Sequence, residues 1–169
     1  MSPAFGLSLH RWEPGSCHQA LLTGLIDAVQ VIHDISDQSP QAALFPAWRQ
    51  YALAIFDSAP FDEGTPSDML TLNSRWPEGE WRSPFVGPKN LTASIERAEA
   101  LRRDLPGGVS MPDMAKPVIL SSPDVGSLIP GMCKPGHVEA NLAAAEAGGL
   151  APELIECLCR NRWDRRPAL

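Results

Sequence analysis

The stretch DAVQVIHDISDQSPQAALFPAWRQYALAIFD, residues 27–57, decides the fold because two apolar runs flank a helical pattern. The runs DAVQVIH (27–33) and ALAIFD (52–57) have the length and the apolar composition of buried strands. Between them, SPQAALFPAWRQY (39–51) predicts a helix with Ser39 as its N-cap. Strand, helix and strand in this order indicate a parallel β/α unit.

The same alternation continues on both sides of this stretch. Further strands are predicted at 4–9 and 125–130, and further helices at 16–24, 90–105, 111–121, 134–148 and 152–163. A long connection rich in Pro, Trp and Gly, from about 60 to 88, has the length of a functional loop or lid. We therefore expect one α/β domain over 1–169, with four parallel β/α units.

Composition excludes several classes of protein. The chain has 169 residues, 44% of them hydrophobic, which is enough for one real core. Its net charge is −6 and no Lys/Arg-rich stretch stands out, so we expect no nucleic-acid partner. No apolar segment has the length of a membrane span and no signal pattern begins the chain, so we expect no membrane contact and a cytoplasmic location. The four cysteines lack C-x-x-C spacing, and no metal motif is present.

Several segments together resemble the aldo/keto reductases. IPGMCKPGHVEANLAAAEAG (129–148) and LIECLCRNRWDR (154–165) are similar to the last strand, the cofactor-binding loop and the final helix of that family. GLSLHRWEP (6–14) and SRWPEGEW (74–81) extend the match, in order, along nearly the whole chain. The family fold is a TIM barrel of eight β/α units, and this chain resembles only units five to eight. The resemblance thus implies a half TIM barrel.

The family's catalytic tetrad of Asp, Tyr, Lys and His lies on the first four units and has no counterpart here. Tyr51, the only tyrosine, is placed at a helix end before the third strand and cannot replace the family's proton donor. The resemblance therefore implies a truncated aldo/keto reductase-like protein, with the fold and part of a cofactor site but without the family's reaction.

The resemblance also implies which residues would contact NADP(H). Ser8 and Gln30 match positions on the nicotinamide side, and Lys134 matches a position near a phosphate. Glu139 and Asn141 match the pair on the adenine side. The predicted helix after Lys134 would also present free N–H groups to an anion.

Other positions depart from the family pattern. Cys133 and Gly136 stand where the family often has a basic residue for the adenosine phosphate, and Ala140 replaces an acidic residue. Losing bidentate Arg contacts removes strong charge-assisted hydrogen bonds. NADP(H) binding is therefore possible but expected to be weakened or lost. In the alternative interpretation, Ser8 and Gln30 are kept only for packing.

Half a barrel leaves two open sheet edges and one bare sheet face. Exposed edges and faces invite pairing, and closure of the sheet removes them. We therefore expect a homodimer that assembles eight strands. The alternatives are a separate chain that supplies the missing half, or collapse of the long loop over the open face.

Polar residues follow two of the predicted strands where the family usually has other types. The family's Tyr-Asn is replaced by His33 and Asp34, and Asp57 and Ser58 end the next strand. Histidine beside a carboxylate is a workable general acid/base, and alternation along a strand favours His33 with Asp57 as the pair. Ser58 and His10 are then candidate substrate-binding residues.

The alternative interpretation is structural. In it, His33 is a satisfied histidine at a strand end, and Asp34 and Asp37 cap turns.

Three functions remain open from the sequence. In the first, the chain binds a small organic molecule and catalyses non-redox acid/base chemistry, such as a cyclisation, a dehydration or an isomerisation, with His33, Asp34 and Asp57 as catalytic candidates. The second is an NADP(H)-dependent oxidoreductase completed by a partner chain. The third is a non-catalytic remnant.

Overall fold

The sheet consists of four parallel strands in sequence order. A computed structural model describes residues 4–10, 13–60, 70–77, 79 and 88–163. The strands are β1 (Gly6–Ser8), β2 (Ala28–Ile32), β3 (Ala54–Ser58) and β4 (Val125–Ile129), and the sheet order is β1-β2-β3-β4. Every pair of neighbours is parallel. The predicted α/β fold with four parallel β/α units is confirmed.

Helices connect and cover these strands. A 3₁₀ helix (Pro14–Cys17) leads into α1 (His18–Leu21), followed by α2 (Ser39–Ala43), α3 (Phe45–Gln50), α4 (Pro88–Arg103), α5 (Met111–Leu120), α6 (Pro135–Glu146) and α7 (Pro152–Cys159). Within the ranges that the structure describes, none of these helices is long and apolar enough to span a membrane.

The single helix predicted over 39–51 is in fact two short helices. Leu44 separates them, with φ −117° and ψ −41°. Pro46 has no N–H to donate to the carbonyl of the preceding turn, so the α-helical ladder stops there. Ser39 is the first helical residue rather than the N-cap, and its N–H donates to Asp37 Oδ1 at 3.1 Å.

One face of the sheet is covered by helices. Val29 and Val31 of β2 and Ile55 of β3 point toward α1 and α3, where they meet Phe45 and Trp48. All five side chains are buried. Because residues alternate between faces along a strand, this row fixes which face of β2 and β3 lies under the helices.

A second cluster joins the later helices. Leu101 of α4, Met111 and Met114 of α5 and Leu158 of α7 pack together around Ile35, which follows β2. The carboxyl end of β2 thus lies between two apolar clusters.

The opposite face of the sheet is open in the described part of the chain. Its side chains include Ser8 of β1, Gln30 of β2, Phe56 of β3 and Ser127 of β4, which are in register with one another. Phe56 is 38% exposed, and Ser8 and Ser127 are also exposed. In a closed β/α barrel this face would line the interior.

Candidate functional site

His33 and Asp57 form a hydrogen-bonded pair between neighbouring strands. Asp57 lies opposite Val31 in the β2–β3 ladder, and His33 follows β2 by one residue. His33 Nδ1 is 2.8 Å from Asp57 Oδ2. The imidazole also meets the Phe45 ring edge-on, with 5.4 Å between ring centroids. Both polar side chains are buried, at 3% and 0% exposure.

Burial sets the electrostatics of this pair. Desolvation raises the pKa of Asp57 to about 6, although the hydrogen bond from His33 acts in the opposite direction. Asp57 Oδ1 is buried and has no hydrogen-bond partner among the described residues. A carboxyl group with this pKa can hold or release a proton near neutral pH, so the pair has the elements of a general acid/base.

The pair lies on the helix-covered face of the sheet, opposite the candidate cofactor residues. His33 and Asp57 lie on the same side of the sheet as Val31, beneath the helices, whereas Ser8 and Gln30 lie on the open face. The reason is alternation along the strands, since Asp57 belongs to the row of Ile55. The sheet therefore separates the His33–Asp57 pair from Ser8 and Gln30, and no single site on one side of the sheet contains both pairs.

Asp34 shapes the turn that follows β2. Its Oδ1 accepts hydrogen bonds from the N–H groups of Ser36 at 2.7 Å and Asp37 at 2.8 Å. These are the contacts of an Asx turn. The structure thus assigns Asp34 a local conformational role, and its proposed part in catalysis stays a prediction.

A small cleft adjoins His33 on the helix-covered side. Its volume is about 60 Å³. It is lined by His33, Asp34, Gln38, Gln41, Val118, Ser121, Ser122, Pro123, Ile155 and Cys159. Ser122 Oγ is buried without a hydrogen-bond partner in the described part of the chain, and burial raises the pKa of the Cys159 thiol. The space admits a few water-sized groups, far below the roughly 300 Å³ of a small ligand pocket.

No pattern in the sequence marks Ser122 or Cys159 as cleft residues. Ser122 follows α5 and Cys159 ends α7, so they are far apart in sequence, and neither belongs to a motif. Only the packing of α2, α5 and α7 around the end of β2 brings them together.

The predicted substrate-binding residues lie at the carboxyl edge of the sheet. Ser58 is half-buried at the end of β3, and its hydroxyl donates to the Val31 carbonyl at 3.2 Å. His10 is exposed two residues after β1. Most of the long connection after β3 falls on 61–69 and 80–87, outside the described residues.

The cofactor candidates are distributed along the same edge. Ser8 and Gln30 are direct partners in the β1–β2 register and both face the open side. Lys134 is the exposed N-cap of α6, which follows β4. Asn141 Nδ2 donates to the Gly131 carbonyl at 3.4 Å, and Glu139 is exposed one turn from the start of the helix.

Comparison with known proteins places this arrangement in a recognised fold. No family model matches the sequence, and no curated protein matches it. Solved structures do match. An aldo-keto reductase from Bacillus halodurans in its holo form aligns over 96% of this chain and 51% of its own, with a TM-score of 0.71 and 22% identity. The chain has the fold of half an aldo/keto reductase barrel.

Two further structures agree with this assignment. A glycerol dehydrogenase from Gluconobacter oxydans aligns over 96% of this chain and 50% of its own, with a TM-score of 0.68 and 16% identity. An aldo-keto reductase from Klebsiella pneumoniae, solved in complex with NADPH, aligns over 98% of this chain and 51% of its own, with a TM-score of 0.60 and 18% identity. The chain spans about half the length of these structures, as the sequence predicted.

Among the described residues, no group of three or more His, Cys, Asp or Glu side chains is placed to hold a metal ion.

Proposed function

We propose that the chain binds a nicotinamide nucleotide, of the NADP(H) type, along the carboxyl edge of its open sheet face. The observation that carries the proposal is the Ser8–Gln30 pair, which is in direct register on the side that becomes a barrel interior. Parallel β/α barrels bind their ligands at this end of the strands. The NADPH in the Klebsiella pneumoniae structure makes this ligand class chemically reasonable for the same half-barrel fold.

The nicotinamide end fits the residues that are present. A carboxamide offers one carbonyl acceptor and two N–H donors, and Ser8 and Gln30 supply a hydroxyl and an amide that complement them. Ser8 is exposed and Gln30 is half-buried, so both are accessible from the open face.

The phosphate end fits with fewer contacts. Lys134 provides one cation at the start of α6. The His137 N–H already donates to the Lys134 carbonyl at 2.9 Å, and Pro135 has no N–H. A side chain at Gly136 would meet nothing within 4 Å, so the position leaves room for a phosphate group. The phosphate contribution therefore rests on one ammonium group without a bidentate Arg, which favours modest affinity.

The role of the chain under this proposal is to bind and orient the nucleotide. A bound nicotinamide supplies hydride chemistry, and a carbonyl reduction would also need a proton donor from four further β/α units.

Fluorescence titration with NADPH tests the proposal, with 2′,5′-ADP as a probe of the adenosine end alone. We expect saturable NADPH binding that Gln30→Ala weakens about tenfold, whereas the affinity for 2′,5′-ADP stays unchanged. Lys134→Gln should weaken the binding of both NADPH and 2′,5′-ADP. Gln50→Ala, at an exposed position on α3, is the matched control. Absence of saturable binding at millimolar NADPH would overturn the proposal.

A second candidate function is proton transfer at the cleft beside His33, and the 2.8 Å contact with Asp57 favours it. With Nδ1 bound to Asp57, the other imidazole nitrogen is the one available to a substrate. The small cleft restricts that substrate to a few heavy atoms. Exchange of the α-protons of glycolaldehyde in D₂O, followed by NMR, is a direct assay. Equal exchange by the wild type and by His33→Gln would exclude this candidate.

A further inference from the structure

We propose that the open sheet face is the docking surface for a second copy of this chain, which closes an eight-stranded barrel. This inference goes beyond nucleotide binding and does not depend on it. Four features of the described residues support a second copy as the occupant.

The first feature is the pair of sheet edges. β1 and β4 are each paired on one side only within the described part of the chain. All four strands run in the same direction, so β4 of one copy can pair in parallel with β1 of the other. A two-fold axis along the barrel repeats this junction, and both open edges are satisfied at once.

The second feature is the number of strands. The solved structures that match this chain are about twice its length, and the match covers half of each. Eight strands give a barrel interior just wide enough for side chains to fill. Two copies supply eight strands without any other element.

The third feature is the charge of the face. The chain carries a net charge of −6, so two copies repel each other in general. Every side chain that β1–β4 place on the open face is nevertheless uncharged, including Gln30, Phe56, Ser127 and Ile129. Two like-charged copies can therefore meet on this face without bringing charged strand residues together, and Phe56 and Ile129 add apolar surface that is 38% and 47% exposed.

The fourth feature is helix α6. It follows the edge strand β4 and has no buried residue, and its Val138 and Leu142 are 38% and 60% exposed. In β/α barrels a helix packs against its own strand and the next one, and no strand follows α6 among the residues that the structure describes. β1 of a second copy would occupy that place and cover α6.

Light scattering on the whole chain tests this inference. At tens of micromolar we expect about twice the chain mass of 18.3 kDa. Because a two-fold axis along the barrel brings both Phe56 side chains toward the centre, Phe56→Lys and Phe56→Glu should each give monomers. Mixing the two variants should restore the double mass, since opposite charges then face each other. Gln50→Lys and Gln50→Glu, at an exposed position at the end of α3, are the matched controls and should remain dimers.

Circular dichroism separates loss of assembly from loss of fold. A folded wild-type particle of 18.3 kDa would overturn the inference. Phe56 variants that keep the double mass would also overturn it. The NADPH titration reports nucleotide affinity and light scattering reports particle mass, so failure of one proposal is distinguishable from failure of the other.

Discussion

The two faces of the sheet differ although they are built from the same strands. On the helix-covered face, Val31 and Asp57 lie opposite each other and are buried, at 1% and 0% exposure. On the open face, Gln30 lies opposite Phe56, which is 38% exposed. A polar group in the buried row must find a partner, as Asp57 does in His33, because an unpaired buried charge is costly. A polar group in the open row can instead meet a ligand or a second chain.

The largest expected effect is on the free energy of unfolding, when one phenylalanine on each side of the sheet is replaced by alanine. Phe45→Ala removes a fully buried ring that packs on Trp48 and on His33, and should lower the free energy of unfolding by about 3–5 kcal/mol. Phe56→Ala should cost about 1 kcal/mol or less in the monomer, since its ring is partly in solvent already. Urea denaturation of both variants measures the difference.

Protein concentration sharpens this comparison. If a second copy covers the open face, the cost of Phe56→Ala rises with concentration, whereas the cost of Phe45→Ala does not depend on it to the same degree. Equal costs at the lowest measurable concentration would contradict the exposure of Phe56 in the single chain.

The next effect concerns pH. The folded-state pKa of Asp57 is about 6, above its ordinary value of 3.8, because of burial. The folded state therefore binds more protons than the unfolded state between about pH 4 and pH 6. The stabilisation is complete below about pH 4 and is lost as the pH rises through about 6, by a total of about 3 kcal/mol. Asp57→Asn should remove this dependence, which denaturation at pH 4, 5, 6 and 7 measures.

An exposed acid provides the control for the pH profile. Glu99 lies on the exposed surface of α4. Glu99→Gln therefore removes one negative charge and leaves the buried carboxyl group of Asp57 in place. It should leave the fall in stability between pH 4 and pH 6 in place. A profile that is flat in the wild type would contradict the pKa of Asp57.

Much of this fold could be predicted from the sequence, and the comparison of faces shows why. Apolar runs such as 27–33 fixed the number and order of the strands, because a buried parallel strand needs such a run. Neighbouring strand ends also indicated that His33 and Asp57 would be close. The sequence does not specify which face of the sheet His33 and Asp57 point to, since that depends on which face the helices cover. The break at Leu44 was missed because the apolar pattern of 39–51 outweighed Pro46.

The cleft lay beyond sequence reasoning for a different reason. Val118, Ser122 and Cys159 reach it from two separate helical regions, and no periodicity in one segment specifies how another segment packs on it. The cofactor candidates Ser8 and Gln30 were found only because the family resemblance marked them. Local patterns thus specify elements and faces, whereas contacts between distant elements require the packed structure.

The smallest expected effect is on the free energy of unfolding, when a buried or an open-face glutamine is replaced by alanine. Gln38 is buried, and its Nε2 donates to the Ile35 carbonyl at 2.9 Å. Gln38→Ala should therefore cost about 1–2 kcal/mol, since it removes that bond and leaves a buried acceptor unpaired. Gln30 faces the open side, and Gln30→Ala should change the free energy of unfolding by less than about 0.5 kcal/mol in the monomer. Urea denaturation at low protein concentration compares them, and equal losses would mean that the face carrying Gln30 is covered within a single chain.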